Sequence, residues 1–447
     1  MKKSSNYNII LQEENHWLIF NSCQGLRSLA RINPGEDSVL TALSGSFDEK
    51  MFTEEQIDRL LEKGFIVDES TNELEWVKYQ YNQIVNGSTL CLTILPTRAC
   101  NFRCTYCYES FESKRMDRGV CDALIKWVSK NIFRYSALSV SWFGGEPLIA
   151  MEVIEYLSEA FMKICKVGKK RYIANITTNG YLLDLDTFNK LLKYRVLKFQ
   201  VTLDGLRERH DAQRKLCGGG STFERIIENI KTIKNGTVSG RFTFIIRTNF
   251  SKDSIKEIPE YIHYLEDTIN GDTRFSLFVR TVSYLGGGDD VYNSNKKVIT
   301  GYKERKEIFE TVSKTLNTIP IDVNYSLLNV GQCVCYAALN NHMVVDVGGE
   351  IRKCTCNLDD DDKNRIGDLL DDGSIQFNYE LYNRWVGCFT SRKKCLNCKF
   401  LPICMQKNCP ANDVYELKVG CPYEKLEFES ILKAYEKNNY IKGIFEN

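Results

Sequence analysis

The sequence predicts an α/β protein: a partial (β/α)6 barrel of TIM type, with a winged helix-turn-helix-like domain ahead of it and a small cysteine-rich domain behind. Three observations lead there. Six β-rich apolar runs alternate with amphipathic helical stretches through the middle of the chain, a pattern that makes a parallel sheet with its chemistry at the carboxyl ends of the strands. A short series of two strands, two helices and a strand stands before them. Ten of the 18 cysteines fall between Cys333 and Cys421. The expected boundaries are 1–80, 81–325 and 326–447.

In the first region, Tyr7–Gln12 and His16–Phe20 read as strands about a Glu-Glu-Asn turn. A short helix is expected near Ser38–Leu43 and another over Thr53–Glu62. Thr53 stands at the N-cap, Gln56 completes a capping box, and Gly64 stops the helix before a strand at Phe65–Asp68. In the middle region the expected strands are Leu90–Leu95, Leu138–Phe143, Tyr172–Thr177, Leu197–Leu203, Phe242–Thr248 and Arg274–Val279. Helices are expected near Val120–Phe133, Val153–Cys165, Asp186–Leu192, Phe223–Lys234 and Ile255–Leu265. Six such units are two short of a closed barrel. The third region has short irregular stretches, Gly348-Gly349 and an acidic run, Asp359–Asp362, read as a solvated loop. Metal rather than a large core should hold it.

Composition excludes several functions. With 59 basic and 58 acidic side chains the formal charge is +1, which draws neither a phosphate backbone nor an anionic membrane in bulk. No apolar run approaches the roughly 18 residues of a membrane span. The start, Met1 to Asn6, leads toward Glu13 and Glu14, unlike a secretory segment. The expectation is a cytoplasmic protein with no nucleic-acid or membrane partner. Thiols persist in that compartment, so metal is the use for so many cysteines. Cys23, Cys91, Cys121, Cys165 and Cys217 are scattered and read as small buried hydrophobes.

Cys100, Cys104 and Cys107 directly follow the first barrel strand. Thiolates at C-x3-C-x2-C spacing can hold three irons of a [4Fe–4S] cluster and leave the fourth open to a chelating small molecule. Zinc would need a fourth Cys or His close by, and none is there. This motif, with Tyr106 just before its last cysteine, resembles that of the radical S-adenosylmethionine (SAM) superfamily. Further matches stand at successive strand ends: Gly144-Gly145-Glu146-Pro147, Thr177-Thr178-Asn179-Gly180 and Thr202-Leu203-Asp204-Gly205.

The resemblance implies that Gly144 to Pro147, through Glu146 in particular, bind the SAM amino group. By the same likeness Thr178, Asn179, Thr202 and Asp204 line the ribose and the pocket floor, and Arg214 and Arg247 are candidates for the SAM carboxylate. It also implies catalysis in which the cluster at Cys100, Cys104 and Cys107 cleaves SAM to a 5′-deoxyadenosyl radical that takes hydrogen from substrate. SAM as cosubstrate and SAM as regenerated cofactor both stay open.

Cys335, Gly349 and Cys354, then Cys395-x2-Cys398-x5-Cys404, Cys409 and Cys421, resemble the seven-cysteine SPASM extension of peptide- and protein-modifying radical SAM enzymes. That likeness implies two auxiliary [4Fe–4S] clusters, three clusters in all. Cys395, Cys398, Cys404 and Cys421 would hold the outer auxiliary cluster, and Cys335, Cys354 and Cys409 the inner. The eighth ligand falls to Cys333 or to a substrate thiolate, with Cys356 and Cys388 weaker contenders. One departure concerns Cys409: four residues without glycine, Met405 to Asn408, separate it from Cys404, where the family has three with glycines.

The first region resembles the domain by which peptide maturases hold a precursor's leader, adding it as a strand beside Phe65–Asp68. DNA binding competes for such a fold, but Asp48–Glu75 is acidic. The expected function is therefore a ribosomal-peptide maturase that forms a crosslink, a cysteine thioether ahead of a carbon–carbon bond. Its partners would be a leader-bound precursor peptide and a flavodoxin or ferredoxin electron donor. The alternative is an anaerobic, formylglycine-generating sulfatase maturase.

Overall fold

In the computed structural model the described residues are 1–45, 47–237, 241–282, 300–319, 328–387, 393–416, 421–422, 425 and 427–446. Cys388 lies outside them. The chain forms two compact units, each discontinuous in sequence: Met1–Gly87, Asn324–Asn340 and Arg384–Asn447 make one, Ser88–Val323 and Asn341–Asn383 the other. The cysteine-rich stretch is thus divided between them. No described helix is long and apolar enough to cross a membrane.

The first unit opens with strands β1 (Lys2–Ser4), β2 (Asn8–Gln12), β3 (Trp17–Asn21) and β4 (Ala30–Ile32), helices α1 (Asp37–Ser44) and α2 (Glu54–Glu62), strand β5 (Ile66–Asp68) and helix α3 (Glu73–Val85). Strands β2, β3 and β4 form an antiparallel sheet, and β1 pairs with β5 as a separate ribbon, Lys3 opposite Val67. The Thr53–Gln56 capping box starts α2 as its residues require. Sequence reading did not expect α3, whose Val77, Tyr81 and Val85 pack with Tyr7, Cys23, Leu401 and Met405. Leu18, Phe20 and Leu29 likewise share a core with Phe400, Ile403, Phe428 and Leu432. The N-terminal elements and the C-terminal cysteine segment are therefore one folded body.

The second unit continues with β6 (Thr89–Ile94), β7 (Phe102–Cys104), β8 (Ala137–Trp142), β9 (Arg171–Thr178), β10 (Val196–Thr202), β11 (Arg214–Leu216), β12 (Thr243–Phe250), β13 (Phe275–Thr281), β14 (His342–Val345), β15 (Glu350–Arg352), β16 (Arg365–Leu369) and β17 (Ile375–Phe377). Its main sheet runs β13-β12-β10-β9-β8-β6-β14-β15-β16-β17. The six central strands are parallel and ordered as in the sequence, matching the six expected βα units. The sheet is open and mixed. Strand β14 adds parallel to β6 on its far side, and β15 to β17 continue antiparallel. Local grammar accounts for the helices: Asp117 and Asp184 accept from the backbone N–H groups of Val120 and Thr187, starting the helices Arg118–Asn131 and Leu185–Lys193. Phe188, Phe199, Phe242, Phe244 and Phe275 stack edge and face in the core.

The acidic run is largely exposed, as a solvated segment should be, and it also pairs with neighbouring cations. Asp359 pairs with Arg98 at 2.5 Å, and Asp361 pairs with Arg352 at 2.6 Å and Arg365 at 3.1 Å. Arg98 and Arg352 are buried, and buried guanidinium groups need counter-charge.

Candidate active site

The cleft lies at the carboxyl ends of the parallel strands. Strand β6 runs into the loop bearing Cys100, Cys104 and Cys107. Two contacts fix that loop. Strand β7 within it pairs with β11, setting Cys104 opposite Arg214, and the N–H of Thr105 donates to the Gln213 carbonyl at 2.9 Å. From the other side, the N–H of Gly145 donates to the Thr97 carbonyl at 3.3 Å and that of Glu146 to the Ala99 carbonyl at 2.8 Å. The glycines allow this approach. A Cβ on Gly144, at φ +117°, would meet the Thr97 carbonyl oxygen at 2.4 Å, and one on Gly145 would meet that of Ala99 at the same distance. Gly-Gly thus serves the cluster loop's own backbone as well as any ligand.

The three cysteines line the cleft with Tyr106, Gly144, Gly145, Thr178, Asn179, Thr202, Arg214 and Arg247. Burial pushes the thiols of Cys100 and Cys107 up to about 12 and that of Cys104 upward too, so metal binding here releases protons. Among the described residues no three His, Cys, Asp or Glu side chains converge as ligands of a single metal ion. A [4Fe–4S] cluster asks for no such convergence, since each thiolate takes a different iron. Three thiols on a wall of an open cleft fit that demand.

Asp204 and Glu146 stand behind the wall. Asp204 is buried: Oδ2 accepts from the Tyr106 hydroxyl, Oδ1 accepts from the Asn249 N–H at 2.8 Å, and Arg214 lies 3.8 Å away. The Tyr106 hydroxyl also accepts from Arg214 at 2.9 Å. Arg214 is therefore committed to the cluster loop, while Arg247 donates its Nε–H to Asn249 Oδ1 at 3.1 Å. Glu146 is fully buried. Its carboxylate accepts from the Thr178 hydroxyl at 2.7 Å, the Asn179 N–H at 2.7 Å and the Leu148 N–H at 3.1 Å. Pro147 begins a short 3₁₀ turn and is buried as well.

Sequence reasoning missed Arg98, Glu109, Phe111, Phe143 and Asn249, which also line the cleft. Asn249 stands two residues after Arg247 on β12, so strand alternation puts it on the same face and would have found it. Arg98 binds Asp346, which also takes Arg352 at 2.8 Å, and no local signal links residues that far apart. Burial pushes the Glu109 carboxyl up to about 7, against the pull of Arg98.

The other cysteines are split. Cys335, Cys395, Cys398, Cys404, Cys409 and Cys421 belong to the first unit, Cys354 and Cys356 to the second. In the first unit, Cys333 and Cys335 donate their N–H groups to the carbonyls of Ile403 at 3.3 Å and Lys407 at 2.8 Å. The thiol of Cys404 is pushed up to about 12, chiefly by burial and then by nearby Cys398, Cys395 and Cys421. Cys333 packs in the apolar core with Leu328 and Phe400. Met405 and Gln406 adopt φ of 46° and 59°, the left-handed turn that glycine would make without strain. In the second unit the N–H of Cys356 points at the Cys354 sulfur, 3.3 Å away.

Comparison with known proteins agrees with this geometry. Residues 94–265 match the model of the radical SAM superfamily. A cysteine-type anaerobic sulfatase-maturating enzyme of Clostridium perfringens strain 13 is 25% identical over 345 residues, 70% of this chain and 87% of its own. Among solved structures, native anSMEcpe with bound AdoMet superposes with a TM-score of 0.59 at 20% identity, over 78% of this chain and 100% of its own. Streptococcus suis SuiB bound to precursor peptide SuiA gives 0.51 at 18% identity, over 91% of this chain and 95% of its own. These structural likenesses show a shared fold. The superfamily match lies on the strands and loops that build the cleft, so the chain carries a radical SAM domain over residues 94–265, and its cysteine-rich C-terminal region is consistent with a SPASM domain.

Proposed function

We propose that the enzyme removes a hydrogen atom from the Cβ of a cysteine in a peptide or protein substrate. One further electron and the thiol proton then leave, the electron for an iron–sulfur cluster of the kind the C-terminal cysteines would hold, and water hydrolyses the resulting thioaldehyde to formylglycine with release of hydrogen sulfide. The cleft carries the first half: three thiols, a glycine cradle and arginines converge at the strand ends. Cys100, Cys104 and Cys107 would hold a [4Fe–4S] cluster, and Arg247 the carboxylate of SAM. Bound there, cluster and SAM would supply the electron and the carbon-centred radical. The chain's own residues position and shield. Tyr106, Asp204, Arg214 and Asn249 lock the loop to the strand ends, and Phe111 and Phe143 keep water from a reactive species.

The second half rests on the relatives. Sulfatase-maturating enzymes align over most of their length, which supports the formylglycine chemistry over the thioether that the sequence put first. The thioether reading keeps one observation in its favour. The anSMEcpe structure aligns to 78% of this chain, and the N-terminal sheet and helices offer a leader a place to dock. Strand β5 already carries β1 on one edge, so a leader would need its other edge or that of β2.

The test uses anaerobically reconstituted protein with SAM and a reductant, flavodoxin or ferredoxin included. Replacing Cys100, Cys104 and Cys107 together by alanine should remove about four irons and stop 5′-deoxyadenosine formation; continued SAM cleavage sinks the assignment. With a cysteine peptide, an aldehyde that reacts with hydrazides supports formylglycine. Loss of the thiol without an aldehyde, dependent on a leader, supports the crosslink instead.

A further inference from the structure

We propose that the Lys425 ammonium raises the reduction potential of an iron–sulfur cluster held by Cys395, Cys398, Cys404 and Cys421, an inference that rests on the iron–sulfur reading of those cysteines. The four belong to one unit, and Cys404 has the thiols of Cys398, Cys395 and Cys421 close enough to feel their charge. Such a gathering supplies one thiolate for each iron of a [4Fe–4S] cluster. Lys425 stands against it. Its N–H donates to the Pro422 carbonyl at 3.1 Å, and its Nζ lies 3.7 Å from the Cys421 sulfur. The Cys398 sulfur is a second partner of the same ammonium.

A neutral thiol is a poor acceptor, so two of them do not explain a lysine drawn to them. No carboxylate among the described residues pairs with Lys425. Lys407, the buried lysine between Cys404 and Cys409, differs: it gives its ammonium to Asp413 at 2.7 Å. Thiolates and the sulfurs of an anionic cluster are the acceptors that match Lys425. Cys404 is supplied in the same way, since its sulfur accepts from the Gln406 N–H at the left-handed turn of Met405 and Gln406. A positive charge and N–H donors at the sulfurs favour the state of a cluster that has gained one electron, because that state is the more negative. Lys425 therefore makes these four thiols a better resting place for the single electron that oxidation of the substrate releases. No bond changes there.

Potentiometric titration of the reconstituted full-length protein, followed by electron paramagnetic resonance, tests this on wild type, Lys425→Met and Lys425→Arg. The signal of this site is the one lost when Cys398 and Cys421 are both replaced by alanine. In Lys425→Met it should move to lower potential. The ratio of reduced to oxidised form at the wild-type midpoint should fall about tenfold, which is about 59 mV for one electron. Lys425→Arg should stay near wild type, with the other signals unmoved and the iron content full in both variants. A signal that stays put or rises overturns the proposal. So does a common shift of every signal, which means general damage, or an equal shift in both variants, which means that charge is not the cause. Loss of about four irons from Lys425→Met also overturns it, because the lysine then builds the site rather than tunes it. If the double cysteine variant keeps all its iron, the iron–sulfur reading of these cysteines fails and takes the proposal with it, an outcome distinct from an unmoved potential.

Discussion

In the cleft, the loop of Cys100, Cys104 and Cys107 is bonded to backbone on both flanks: to β11 through β7, and to Gly145 and Glu146 through Thr97 and Ala99. The clustered cysteines of the first unit stand on one-turn helices and the loops beside them instead, and Cys333, Cys398 and Cys404 pack on a core that Leu18, Phe20 and Leu29 build with Phe400 and Phe428. Both regions offer thiols to metal. One is shaped by hydrogen bonds of a sheet that folds around its own strand ends; the other depends on apolar partners supplied from the opposite end of the chain. A site of the first kind should survive changes elsewhere, and a site of the second should fail with its partner.

Deleting Met1–Glu75 is the strongest way to break that comparison. The deletion removes buried Leu18, Phe20 and Leu29, each worth about 1.5–3 kcal/mol of burial, from a unit whose whole margin is only a few such contributions. The C-terminal cysteines should then lose their iron while the cleft keeps about four atoms and still cleaves SAM. An iron content equal to that of the intact protein would show that the N-terminal region is a detachable docking domain.

Asp346→Asn probes the cleft's own long-range support. It strips the carboxylate shared by buried Arg98 and Arg352, and breaking a buried pair from one side costs about 3–5 kcal/mol. Denaturant unfolding of the second unit's transition measures it, and a loss below about 1 kcal/mol would mean that Asp359 and Asp361 carry the arginines alone.

Glu146→Ala should cost less, about 1–3 kcal/mol, by orphaning the buried N–H of Asn179 and the hydroxyl of Thr178. A thermal melt that does not move would show that water replaces the carboxylate. Smallest is Thr53→Ala, which removes one half of the capping box in the first unit. It should lower stability by about 1 kcal/mol and leave SAM cleavage as it was; a change in SAM cleavage would tie the two regions together.

Much of the cleft was legible because its signals are local. Six apolar runs in order, a Cys-x3-Cys-x2-Cys loop after the first of them and a glycine pair after the second each sit within a window of a few residues, and spacing alone sets their place at the strand ends. The same holds for the helix that Thr53 and Gln56 begin. Three features were not legible. Helix α3 hides its apolar stripe among Trp76, Lys78 and Tyr79, and only packing on Leu401 and Met405 selects the face that is buried. The acidic run reads as solvent-facing, and it is, but nothing local says that Asp359 and Asp361 also pair with the buried Arg98 and Arg352. Met405 and Gln406 make a glycine-like turn that no propensity would assign them.

The sequence by itself therefore determined the order of the six central strands and the place of the loop that carries Cys100, Cys104 and Cys107, because period, cap and residue spacing are written in neighbouring residues. Only the tertiary structure decided that Glu146 is walled in by Thr178, Asn179 and Leu148, that Asp346 joins two arginines, and that the two ends of the chain share one core. Those outcomes turn on which side chains lose water together. Residues hundreds of positions apart settle that jointly, through burial and the pairing that burial demands.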